Sequence, residues 1–163
     1  MRDENPFRRE GDGFEVDLEP AVRELLSSLA AQMQQVLTGD TAPDDPAVAR
    51  LFPTAYPDDP MRNLEFEQVA GDDLQRDRVA RFEALGATVD ARWLTEEQLL
   101  QWMRAINDAR LVLGVRLDVT EGTTPEDFAE DPAAHDAFAT YAFLSALLEA
   151  IVEALGDPTT TSA

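Results

Sequence analysis

Apolar residues recur at helical spacing in three long stretches, and that period limits the folds open to this chain more than any other feature. Val22, Leu25, Leu26, Leu29, Met33, Val36 and Leu37 form the first stripe. Leu99, Met103, Ile106, Leu113 and Leu117 form the second, widened by Trp102 and Ala109. Ala137, Tyr141, Leu144, Leu148, Ile151 and Leu155 form the third. Steps of three and four residues place each set on one side of an α-helix. The third set alternates the two steps like a heptad. Start and stop signals agree with the period. Pro20 suits the first helical position, and Gly39 ends that helix. Thr95 and Gln98 fit a capping box ahead of Glu96, and Gly156 stops the last helix.

The remaining segments are shorter. Phe14, Val16 and Leu18 alternate with Glu15 and Asp17, and Gly11-Asp12-Gly13 supplies a turn, so residues 6–18 predict a β-hairpin. Two short strands do not stand alone in water and must lie against helices. Asp45-Pro46 starts a short helix reaching about Leu51. The run LFPTAYPDDP at 51–60 carries three prolines that exclude regular helix. Asp59 is an N-cap, with Pro60 at the first position of a helix to about Val69. Gly71 breaks that helix, and Asp72 caps a successor reaching about Ala91. Residues 118–131 form an acidic linker with one turn near Pro125. There is no internal repeat and no composition break. The prediction is a mainly α fold, an irregular bundle of about five to six helices with a small N-terminal β-hairpin. It occupies one domain over 1–156, followed by a disordered tail at 157–163.

Charge narrows the function classes. There are 33 acidic residues and 13 basic ones, a net charge of −20, and every basic residue is arginine. The last arginine is Arg116; from Leu117 to Ala163 there are ten acids and no arginine, half of the net charge. Such a surface repels phosphate, which disfavours direct DNA binding and adsorption to anionic lipid. The absence of cysteine excludes disulfides, thiolate metal sites and thiol redox chemistry. The N-terminal residues lack the apolar region of a signal peptide, and the apolar runs fall short of the ~20 residues that cross a bilayer. A cytoplasmic, soluble protein is the expectation.

No catalytic or cofactor constellation emerges. His135 is the one histidine, set among alanines at an exposed helix start, where a surface role is expected. One histidine cannot supply the paired Glu-x-x-His motifs of a di-iron bundle. Counting Asp118 as position one of a calcium loop leaves Thr123 where glycine is required. Phosphate-binding glycine motifs are missing. Expected cofactors and metals are therefore none, and a carboxylate-metal enzyme is a remote alternative.

Two stretches are more informative. In residues 105–119, AINDARLVLGVRLDV, Arg110 falls on the apolar face, between Ile106 and Leu113. A buried guanidinium needs a carboxylate or several carbonyls. Gly114 inside a helix costs about 1 kcal/mol against alanine, which close approach of another backbone would explain. The proline-rich run, with its carbonyls and with Asp58 and Asp59, is the candidate partner for both. In that run Phe52 and Tyr56 either plug the core or present a contact surface, and plugging is the favoured reading. Phe52, Tyr56, Asp58, Asp59, Asn107, Arg110 and Gly114 are the candidate structural and contact residues. Docking of the loop is favoured over ligand binding.

These stretches, with the Gly-Asp-Asp-Leu run at 71–74 between them, resemble an actinobacterial family long catalogued as a domain of unknown function and associated with the oxidative stress regulator AosR. The likeness runs from the hairpin near Phe14 to the terminal helix. It implies a cytoplasmic regulator of transcription under oxidative stress, encoded near the adaptor of the Clp protease, and it brings no catalytic residues. In this chain such a role cannot use thiols; Met33, Met61 and Met103 are the conceivable substitutes. The expected activity is non-enzymatic, through a basic protein partner such as RNA polymerase subunits or sigma factors. The alternative is an adaptor or modulator of Clp proteolysis. Phe138, Phe143 and Leu147, apolar residues outside the last stripe, also suggest a homodimer.

Overall fold

The computed structural model describes residues 4–39, 47 and 58–156, without the side chains at 63, 64 and 66–72. The proline-rich run through residue 57, with Phe52 and Tyr56, lies outside the described residues, as do the tail 157–163 and, apart from a helical and buried Ala47, the expected short helix at 45–51.

The N-terminal hairpin forms as expected. Strands β1 (Phe7–Glu10) and β2 (Gly13–Val16) pair antiparallel with Glu10 opposite Gly13. Gly11 takes φ +64 at the first turn position, where L-residues with a Cβ are strained. A third strand, β3 (Trp93–Thr95), adds antiparallel to β2, with Leu94 opposite Phe14. The hairpin is thus part of a three-stranded sheet, because three residues are too few to show a period of two. Phe7, Phe14, Val16 and Leu94 share the inner face and are buried. Arg8 and Glu15 pair at 2.7 Å on the exposed face.

Helix α1 (Pro20–Thr38) opens with proline at its N-terminus and buries Leu26, Leu29, Ala30, Met33 and Leu37. Helix α2 (Pro60–Thr88) begins at Asp59, whose carboxylate accepts the Arg62 amide at 3.1 Å. It then runs unbroken through Gly71 and Asp72, correcting the expectation of two helices. One internal glycine costs about 1 kcal/mol, which packing along the rest of the helix offsets. Gln75 donates to the Leu37 carbonyl, and Gly86 faces the Ala30 methyl, so α1 and α2 run antiparallel. Phe82, Leu85 and Val89 from this side enter the core.

Helix α3 (Glu96–Arg116) has both halves of the expected capping box: Thr95 Oγ1 accepts from the Gln98 amide at 3.1 Å, and Gln98 Oε1 from the Thr95 amide at 2.9 Å. Glu96 and Glu97 in its first turn suit the positive end of the helix. Trp102 is fully buried at the centre of the molecule. Its ring meets Phe7 edge-on, with centroids 6.2 Å apart, and its Nε1 donates to Thr88 Oγ1 at 2.8 Å.

The end of α3 closes with the Val119 amide on the Gly114 carbonyl (2.9 Å) and the Asp118 amide on the Val115 carbonyl (3.1 Å). This is a Schellman cap, and its left-handed position is held by Asp118 at φ 54 where glycine is usual. The carboxylate also sits at the negative end of the helix. Asp118→Gly is therefore expected to raise the unfolding free energy by about 1 kcal/mol, read by denaturant titration. An unchanged midpoint would contradict this account of the cap.

After a 3₁₀ turn at Pro125–Phe128, helix α4 (Pro132–Gly156) buries Leu144, Leu147, Ile151 and Ala154. The expected stripe is rotated, with Ala137, Tyr141, Leu148 and Leu155 half-buried at its margin. Leu147, counted among the apolar residues left over for a dimer, is in the core. The rotation follows from α4 resting on β1 as well as α3, where Asn5 Nδ2 donates to the Ala150 carbonyl at 2.8 Å. By length and composition α4 could cross a membrane, contrary to the expectation that no segment could. Its four buried side chains, Leu144, Leu147, Ile151 and Ala154, seat it against the rest of the domain.

Candidate contact surface

The buried charge on α3 is Asp108, not Arg110. Asp108 is 2% exposed and lies on the side of α3 that faces α2. There Arg78 Nη1 approaches Oδ1 at 2.6 Å and Arg81 Nη1 approaches Oδ2 at 3.5 Å. One helical turn separates the two arginines, so both reach the same carboxylate. One charge-assisted hydrogen bond, from Arg78, and the Arg81 cation near Oδ2, which accepts no hydrogen bond, stabilise an ion whose isolated burial would be very costly.

Arg110 is half-buried and turns back along its own helix, donating from Nη2 to Asn107 Oδ1 at 3.0 Å. Its Nε has no hydrogen-bond partner. Gly114 lies one turn further on, and among the described residues what approaches it is a ring. A Cβ there would stand 3.2 Å from Tyr141 Cε2. Asn107, Arg110 and Gly114 thus follow one line of α3, while Asp58 occupies an exposed turn and Asp59 caps α2. Among the described residues no hydrogen bond joins the two groups.

Sequence reading missed Arg23. This α1 side chain donates to the carbonyls of Val89 (2.6 Å), Ala91 (2.9 Å), Val16 (3.2 Å) and Leu18 (3.3 Å). It ties the exits of β2 and α2 together. A groove of 760 Å³ opens beside it, edged by Glu24, Asp90 and Arg92. A side chain that satisfies carbonyls leaves no periodic trace, so no sequence signal announced this one.

Gly114 gains a purpose from the ring it admits. Tyr141 stacks on Phe138 with centroids 6.1 Å apart, and Phe138 meets Phe128 at 5.1 Å. This row of rings fastens the acidic linker to the junction of α3 and α4. The linker is further fixed by hydrogen bonds from the Thr124 amide to Asp127 Oδ2 (2.8 Å) and from the Ala134 amide to Asp131 Oδ1 (3.2 Å). Asp118, Glu121, Glu126, Asp127, Glu130, Asp131 and Asp136 are all exposed on this end of the molecule, and Glu149 and Glu153 are exposed toward the other end of α4, where Glu153 lies beside Asn5. His135 is exposed near the start of α4. Among the described residues no group of three ligand-type side chains is placed to hold a metal.

If Gly114 seats the rings, a bulky side chain there should loosen the linker. Gly114→Leu is expected to cost about 2 kcal/mol, as overpacking does. It should also speed protease cleavage within 118–131. Unchanged stability and cleavage would show that the rings do not depend on this glycine.

The family model of a domain of unknown function, DUF2017, matches residues 4–155. No curated protein and no solved structure matches the chain.

Proposed function

The chain belongs to the DUF2017 family, and we propose that it is a non-enzymatic regulatory protein that acts by binding another protein. The observation that carries this reading is the exposed acidic linker between α3 and α4. No arginine follows Arg116 in the sequence, the described carboxylates beyond it are all exposed, and a row of aromatic rings fixes the linker to the fold. Such a surface favours a basic protein partner and speeds encounter with it. The same charge disfavours nucleic acid and anionic lipid, which supports action in the cytoplasm through a protein rather than directly on DNA.

The finer reading is a transcription regulator of oxidative stress in an actinobacterium, of the AosR type. It rests on the resemblance carried by residues 51–60, 71–74 and 105–119. Thiol chemistry has no part in it, since the chain has no cysteine. Of the three methionines considered, Met33 is in the core and Met61 is 74% exposed.

Affinity purification from the native cell tests the proposal at low and moderate salt. An RNA polymerase subunit or sigma factor should co-purify, with salt-dependent yield. Recovery of the Clp adaptor or unfoldase instead would move the reading to proteolysis. Recovery of neither would contradict the transcriptional reading.

A further inference from the structure

Trp93 stands on the outer face of the sheet, opposite Glu15, and is 41% exposed. The neighbouring strand is shaped to hold it there. Its indole lies over Gly13 of β2, in the space that a Cβ at that position would fill. Its Nε1 reaches the Glu10 carbonyl of β1 at 3.4 Å. The ring is thus braced across two strands while much of it faces water, an arrangement that contributes nothing to the core. The other aromatic ring of the sheet, Phe14 on the inner face, has the Arg9 guanidinium 4.6 Å from its centroid. Among the described residues Trp93 has no such cation.

The groups around the indole select what could supply one. Glu10 and Asp12 are exposed beside it, and Glu15 is directly opposite. The arginine on this face, Arg8, is engaged by Glu15 at 2.7 Å. The groove beside Arg23 begins at Glu15 and at Arg92, the residue before Trp93, and its described lining adds the carboxylates of Asp17, Glu24 and Asp90. Arg23 is itself engaged by four carbonyls. An indole edged by carboxylates attracts a cation to its ring and repels the phosphates that accompany a nucleobase. Size separates a short segment from a second copy. The outer face spans three strands of three or four residues, roughly 200 Å² at about 3.3 Å per residue and about 4.8 Å between strands. A stable dimer buries about 800 Å² on each partner.

We propose that Trp93, with Glu10, Asp12 and Glu15 around it, receives an arginine or lysine side chain from a basic segment of a partner protein, whose next residues follow the groove past Glu24 and Asp90. This rests on the proposed protein-binding role and gives it a second contact, on the sheet.

A synthetic peptide of alternating arginine and glycine serves as the probe, titrated against the whole chain at about 0.15 M salt, with a glutamate–glycine peptide as control. The chain has two tryptophans, and Trp102 is fully buried, so acrylamide quenching reports on Trp93. Bound arginine peptide should protect it. Trp93→Ala should weaken binding about tenfold, equivalent to 1.4 kcal/mol, with little change in its circular dichroism melting midpoint. Trp93→Phe, with a weaker ring face, should fall between the two and serves alone if the alanine variant does not fold. Glu121→Gln/Glu126→Gln in the linker should change binding little. If the linker variant weakens binding while both Trp93 variants bind normally, the sheet site is wrong and the acidic-linker reading stands. Binding that leaves Trp93 open to acrylamide, or no binding, also overturns the site. Light scattering that shows a dimer dissolved by a Trp93 variant would assign the face to a second copy instead.

Discussion

Trp102→Ala is expected to lower the unfolding free energy by about 4 kcal/mol, within the usual range for removing a fully buried aromatic. Trp102 is 0% exposed, and it joins three parts of the fold. It extends from α3, packs edge-on against Phe7 of β1, and donates to the Thr88 hydroxyl at the end of α2. Thr88 in turn donates to the Ala84 carbonyl at 2.7 Å, so the indole caps a short hydrogen-bond chain. Alanine removes the ring contacts and leaves a cavity between sheet and helices. Phenylalanine restores most of the volume but not the donor, so Trp102→Phe should cost about 1–2 kcal/mol. Urea denaturation of both variants checks the order. Equal, small losses would mean that the ring is not central to the packing.

The second large effect is electrostatic. Asp108→Ala is expected to cost about 3 kcal/mol, because removing one partner of a buried ion pair strands the other. Here two arginines lose the carboxylate they share. The Arg78 and Arg81 side chains retain 22% and 24% exposure, so they recover some hydration, which places the estimate at the low end of the range for such losses. Arg81→Ala should cost less than half as much, since Arg78 keeps the carboxylate paired at the shorter distance. Chemical denaturation of the two single variants and the double variant gives the coupling directly. Additive losses would contradict a shared site.

These two residues show what the sequence could and could not reveal. Trp102 widens a helical stripe that is plain in the sequence, and the capping box at Thr95 and Gln98 fixes where its helix begins. Arg110 and Asp108 lie on the same helix, and periodicity placed the wrong one in the interior. The reason is that α3 packs on α2 and α4 at once, so its buried arc is broad, and only the partner helices decide which polar residue finds a counter-ion. Arg78 and Arg81 supply that partner from a helix whose continuity was itself obscured by Gly71. Strand β3 escaped notice for want of length. Gly114 drew attention because glycine is costly inside a helix, yet the neighbour that explains it, Tyr141, comes from a helix far along the chain. The charge asymmetry behind the candidate surface was fully legible, since composition does not depend on folding. The ring contacts that seat the acidic linker were not.

The proposed role depends on that end of the molecule meeting a basic partner. Photo-crosslinking in the native cell, with the reactive residue at position 121 or 126 in the linker, tests this most directly. The account predicts a crosslinked component of the transcription machinery, joined through a segment rich in arginine or lysine. Products confined to this chain itself, or none from either position, would contradict it.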